Sequence, residues 1–223
     1  MKSLIFATLF ILSAIDGFAQ GTVIFNNRLG ATSHVWASPA NSPYLTGASS
    51  NDNPSGPVVF PAGSILIGAN GTGGRWGAAT TLAQLLAAPG SNAAETSLLP
   101  SSSPPTSFRT GAAAGNVAAT TATLTGVPLD APVATLEMAV WDNTSGLYPT
   151  WAQASVALGN FLIFGGRSAP FIVNSIGGQG NPAPTLDNLR SFNIVESPEP
   201  SSLALSLMAA LGLIALRRLK IIT

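Results

Sequence analysis

His34 is the only histidine in this chain, and cysteine is absent. A serine triad, a histidine-based acid–base pair and a histidine zinc site all draw on that single imidazole or need more of them. The lack of cysteine excludes a thiolate nucleophile, a disulfide framework and a Cys-based metal site. Followed by Val35 and Trp36, His34 reads as a strand or loop residue rather than a catalytic base. Carboxylates are the other route to chemistry, and the body holds Asp52, Glu95, Asp130, Glu137, Asp142, Asp187 and Glu196. A glycosidase needs two of them flanking a cleft at a fixed separation. Glu137 and Asp142 are the best-placed pair, yet their five-residue spacing puts them on opposite faces of a regular strand unless the chain turns at Trp141. The plainer alternative is an exposed strand carboxylate at Glu137 followed by a turn at Asp142-Asn143. Calcium would want several acids close in sequence, which neither Asp52 nor Asp142 has. No metal and no cofactor is expected.

Glycine-rich pieces at Gly71-Thr72-Gly73-Gly74 and Gly177-Gly178-Gln179-Gly180 lack the strand-to-helix context and the lysine of a phosphate loop, so they read as turns. Gly165-Gly166-Arg167-Ser168-Ala169 approximates a nucleophile elbow but ends in alanine, without a convincing acid–histidine pair. Aromatic side chains offer binding rather than catalysis. Trp141, Tyr148 and Trp151 bracket a loop-like stretch rich in Asn and Thr, a combination suited to stacking on a neutral sugar. The competing expectation is that tryptophan in a β domain belongs to the core.

The elements that must position these residues are strands. Hydrophobic residues make up 46% of the 223 positions and charged residues only 8%, with zero formal net charge. A protein that binds nucleic acid needs a basic patch, so nucleic acid is excluded as a partner. Disorder goes with high charge and low hydrophobicity, the reverse of this composition. Short apolar stretches broken by Gly, Pro, Asn and Ser give candidate strands at 22–26, 58–60, 64–69, 117–124, 133–141, 160–164, 171–174 and 191–195. The stretch 133–141 is the clearest, close to period two. Segment 81–88 is either a short helix or a buried strand, and it is the only good helical candidate. This pattern predicts a mainly β fold, an antiparallel two-layer sandwich of jelly-roll-like or immunoglobulin-like form. Segments 38–57 and 89–105, rich in Pro, Ser and Asn, read as irregular stretches, either surface excursions or a boundary between subdomains.

The ends differ in kind from the body. Met1-Lys2-Ser3, an apolar run at 4–14 and the small-residue site before Ala19 and Gln20 form the tripartite pattern of a signal peptide. At the other end Pro198-Glu199-Pro200 bars helix and central strand alike. An uncharged run at 201–216 and the basic cluster Arg217, Arg218 and Lys220 follow. That run spans roughly 24 Å as a helix, short of a hydrocarbon core of about 30 Å, a gap that snorkelling arginines cover. The positive cluster places the C-terminal end in the cytoplasm and the body outside.

These residues, Pro198-Glu199-Pro200 directly before an apolar helix and a basic end, resemble the PEP-CTERM sorting domain of Gram-negative bacteria. The opening from Ala19 to Arg28 is similar to one found in many such proteins of Verrucomicrobia-like bacteria. The resemblance implies that exosortase recognises Pro198, Glu199 and Pro200 and that the helix is then discarded. It covers only the tail and carries no activity for the body. The expected organisation is a signal peptide at 1–19, a secreted β-rich domain at 20–195 and a sorting tail at 196–223. The partners expected are the Sec machinery, signal peptidase, exosortase, the membrane through the tail helix, and extracellular polysaccharide. The expected protein is noncatalytic, anchored transiently in the inner membrane and then displayed at the cell surface or in the matrix. The alternatives are a carbohydrate-binding module using Trp141, Tyr148 and Trp151, and a secreted glycoside hydrolase using Glu137 and Asp142.

Overall fold

The computed structural model describes residues 19–30, 32–39, 42–49, 52 and 58–195. The expected signal helix lies outside the described residues, as does the whole tail with Pro198, Glu199, Pro200, Arg217, Arg218 and Lys220. Among the described residues no helix is long and apolar enough to cross a membrane. Ala19 is exposed, and the first strand begins at Gln20.

Among the described residues the fold is mainly β, in three sheets. Strands β1 (Gln20–Phe25) and β8 (Thr120–Pro128) form an antiparallel pair. The largest sheet runs in the order β10 (Gly165–Arg167), β9 (Val133–Asp142), β5 (Thr81–Pro89), β6 (Leu99–Pro100). Two short strands extend it, β11 (Phe171–Asn174) on β9 and β7 (Thr106–Ser107) on β5. A four-stranded sheet runs β3 (Thr46–Gly47), β12 (Ser191–Ile194), β2 (Val35–Ala37), β4 (Ile65–Leu66). Among the described residues the antiparallel expectation holds for every strand pair but one: β12 runs parallel to β2, with Phe192 opposite Val35.

The backbone of the fold is the β5–β9 ladder, in unbroken register from Thr81 opposite Asp142 to Pro89 opposite Ala134. Segment 81–88 is therefore a buried strand. Its apolar residues on both faces suit a central position, where neither side meets water. On one face Ala83, Leu85, Ala134, Leu136, Met138 and Val140 join Val23, Phe25, Leu124, Phe192 and Ile194 in a core shared by all three sheets. The other face is also covered. Leu86 and Ala139 pack with Leu98 and Ala93 from the segment after β5, and Trp141 packs with Ala154, Ala157 and Ile163. The period-two pattern of β9 thus separates two apolar layers, not core from solvent.

Segment 160–164 is not a strand. A helix, α1 (Trp151–Gly159), precedes it, and Thr150 caps the helix N-terminus by accepting from Gln153 N. Past Asn160 the chain closes a paired C-terminal turn, with Phe161 N donating to Leu158 O at 3.0 Å and Leu162 N to Ala157 O at 2.9 Å. Those bonds satisfy carbonyls the helix leaves open and consume the residues read as a strand. Residues 58–60 form no ladder, and the 117–124 strand starts later, at Thr120, with Val117 making only an isolated bridge to Phe108.

Candidate functional site

His34 and Asp52, eighteen residues apart, meet as a buried pair with Nδ1 to Oδ1 at 2.7 Å. Asp52 Oδ2 accepts from Ser49 N at 2.7 Å and from the hydroxyl of Ser191 on β12, which itself accepts from His34 N at 2.8 Å. A serine triad requires the hydroxyl to donate to the imidazole while the carboxylate orients the ring. Here Ser191 donates to the carboxylate itself, so histidine and serine share one acid. The arrangement pins the loop bearing Asp52 to β2 and β12. Burial works to raise the Asp52 pKa, but the bonds from His34, Ser191 and Ser49 together outweigh it and hold the carboxyl below its usual value.

Glu137 and Asp142 do not converge. Both lie on β9, which keeps its register with β5, so five residues carry them to opposite faces and roughly 17 Å apart along the strand. Glycosidase pairs need about 5–9.5 Å. Asp142 Oδ1 accepts from Thr144 N at 2.9 Å, the turn expected at Asp142-Asn143. Glu137 is not an exposed strand carboxylate, since it is 1% exposed. Arg167 on β10 bridges it at 2.9 Å to Glu95, which lies 3.0 Å from the other guanidinium nitrogen. Burial pushes the Glu137 pKa up to about 7; Arg167 lowers it and Glu95 raises it further, and burial prevails. Neither Arg167 nor Glu95 stands out in the sequence, because their meeting depends on the β9–β10 register and on the short helical turn at Glu95–Ser97.

Of the aromatic trio, Trp141 is removed from any binding role: it is fully buried, and its Nε1 donates to Tyr148 O at 2.7 Å. Trp151 packs on it with ring centroids 5.8 Å apart and stays half-buried, as does Tyr148. Trp151, Ser155 and Leu158 of α1 line one side of a pocket of about 450 Å³, and Gly165, Gly166 and Arg167 line the other. An indole, a hydroxyl and a partly exposed guanidinium in one open pocket are able to bind a polar, ring-shaped ligand. The elbow-like serine makes no nucleophile. Ser168 is buried, accepting from Met138 N at 3.0 Å and donating to Ala169 O at 2.9 Å, which latches the chain to β9.

Gly177-Gly178-Gln179-Gly180 is a turn, as expected, with an unforeseen partner. The carboxylate of Asp130 accepts from Gln179 N at 3.0 Å and Asn181 N at 2.7 Å and fills this backbone nest itself. Among the described residues no group of three or more His, Asp or Glu side chains is placed to hold a metal. No protein-family model, curated protein or solved structure matches this chain. Its site is therefore defined by its own atoms: an α1–β10 pocket beside a buried carboxylate–arginine network.

Proposed function

We propose that this is a noncatalytic protein of the cell surface or extracellular matrix, associated with exopolysaccharide, whose body is a two-layer antiparallel β-sandwich. On this reading the Sec machinery exports it, signal peptidase cuts between Ala19 and Gln20, and the tail holds it briefly in the inner membrane. Exosortase then acts at Pro198-Glu199-Pro200. One observation carries the noncatalytic part: the groups best suited to acid–base or nucleophilic work are committed to holding the fold. His34, Asp52 and Ser191 clamp a loop, and Glu137 is locked to Arg167. Intact-mass measurement of the protein from its own host tests the processing, with loss of both terminal segments expected. A cytoplasmic chain with its tail intact sinks the proposal.

A second reading, a carbohydrate-binding module, is favoured by the pocket between α1 and β10. Trp151 is its stacking surface, while Tyr148 packs against the cluster around Trp141, which serves only as the buried support. Trp151→Ala is expected to weaken retention on a neutral polysaccharide at least tenfold, given a stacking and packing loss of about 1.4 kcal/mol or more. Equal retention by the variant removes this reading. The hydrolase alternative has the least support, because Glu137 and Asp142 diverge.

A further inference from the structure

From Asn143 to Gly166 the sequence carries no charged residue, although α1 lies at the surface. Surface helices of water-soluble domains ordinarily turn a charged face outward. This one turns out Val156, and the adjoining Leu147, Phe161 and Leu162 are likewise exposed, at 64, 68, 58 and 67% respectively. Phe161 is also held at φ +58°, the left-handed position that closes the helix and that glycine normally occupies. A phenylalanine that stays 58% exposed gains little from packing there to offset its backbone strain. Strain retained at an exposed apolar site points to a function for that side chain.

The position of the chain's exit says what covers this face. The last described residue, Val195, bridges Gly165 on β10, and a Cβ placed on Gly165 would lie 3.0 Å from Leu158 of α1. The body therefore hands over to its tail beside α1. Five residues separate Val195 from the uncharged run that begins at Ser201, and extended they reach roughly 17 Å. If that run enters a bilayer, Val195 is held within about that distance of the entry point, and α1 stands beside Val195 through Gly165.

We propose that α1 and its C-terminal turn form the face by which the body rests on a lipid bilayer while the tail is inserted, with Val156, Phe161 and Leu162 seated at the headgroup–acyl boundary. This rests on the reading of the tail as a membrane segment. The face has no charge to attract anionic lipid, so its contact is apolar, works on zwitterionic lipid and is insensitive to salt.

Because the chain has no cysteine, single thiols are clean reporters. Leu162→Cys, Leu99→Cys and Leu207→Cys versions of the full chain are labelled with a polarity-sensitive fluorophore and reconstituted into phosphatidylcholine vesicles carrying a spin-labelled quencher lipid. Leu99, on β6 at the opposite edge of the large sheet, is the water-facing control. The expected result is a quenched tail probe at 207, a blue-shifted probe at 162 quenched severalfold more than that at 99, and no change in 0.5 M salt (an experimental setting of about three times physiological strength). Adding Val156→Gln and Phe161→Gly is expected to bring the 162 probe down to the level of the control. Phe161→Gly alone leaves the melting temperature unchanged or raises it, since glycine accepts the left-handed position freely. A quenched 207 probe with a water-like 162 probe overturns the proposal and spares the tail reading. A water-like 207 probe overturns both. Quenching at 162 that survives the double substitution also overturns it.

Discussion

At the scale of single residues, two carboxyls set opposite limits on stability. Asp52 has a depressed pKa, so it stabilises the fold above the ordinary aspartate range and loses that contribution as pH falls through its lowered value. Glu137 has a raised pKa of about 7, against 4.5 for the free side chain. The folded protein then binds more protons than the unfolded chain between those values, and stability declines as pH rises through that window. The two together predict a stability maximum near pH 4–5 and a decline on either side. Glu137→Gln keeps an acceptor for Arg167 without the buried charge. It is expected to flatten the limb between pH 5 and 8, recovering on the order of 2 kcal/mol after allowance for solvent at the half-exposed Arg167. Urea titrations across pH check this, and a Glu137→Gln curve that still slopes like the wild type refutes it. The sequence could not reveal either situation. Asp52 is 139 positions from Ser191, and Glu137 reads as a solvent-facing strand residue until the segment covering it is seen.

At the scale of elements, β9 was legible because Leu136, Met138 and Val140 alternate with smaller or polar residues, and β5 was half-legible because an apolar octamer fits a buried helix or a buried strand equally well. Helix α1 was not legible from periodicity. Its buried positions are Ala154 and Ala157, and its outer face offers Val156 in place of charges, so no polar stripe marks it. The usable signal was at its start: Thr150 with Gln153 three positions later is the spacing of a capping box. Thr150 Oγ1 accepts from Gln153 N at 3.4 Å and donates to Gln153 Oε1 at 2.8 Å. Thr150→Ala is expected to cost about 1 kcal/mol, read as a lower urea midpoint with unchanged slope. Because α1 roofs Trp141, the near-ultraviolet circular dichroism of the native state should stay unchanged, as a lost cap weakens the helix without repacking it.

At the scale of the whole molecule, the three sheets hold together through buried amides as well as apolar contact. Asn27, just beyond β1, donates through Nδ2 to Ser33 O at 2.8 Å and Gly115 O at 3.0 Å, and its Oδ1 accepts from Val117 N at 2.9 Å. Asn193 on β12 does the same for the irregular segment before β3, accepting from Leu45 N at 2.7 Å and donating to Pro43 O at 3.0 Å. Such residues are poor sequence signals, since asparagine is also a frequent turn former and these two look like all the others. Their effect is nonetheless global, because each satisfies backbone groups that no ladder reaches. Asn27→Ala leaves the Val117 N–H buried without that acceptor, while Ser33 O and Gly115 O keep Asn116 Nδ2 and Val35 N as donors, at an expected cost of about 1–3 kcal/mol. The same core cluster draws on all three sheets, so the loss should lower the midpoint of a single unfolding transition and leave its slope intact. If Asn27→Ala instead splits unfolding into two steps, the β1–β8 pair is a separate cooperative unit. The asparagine would then be a hinge between units and not a pin within one.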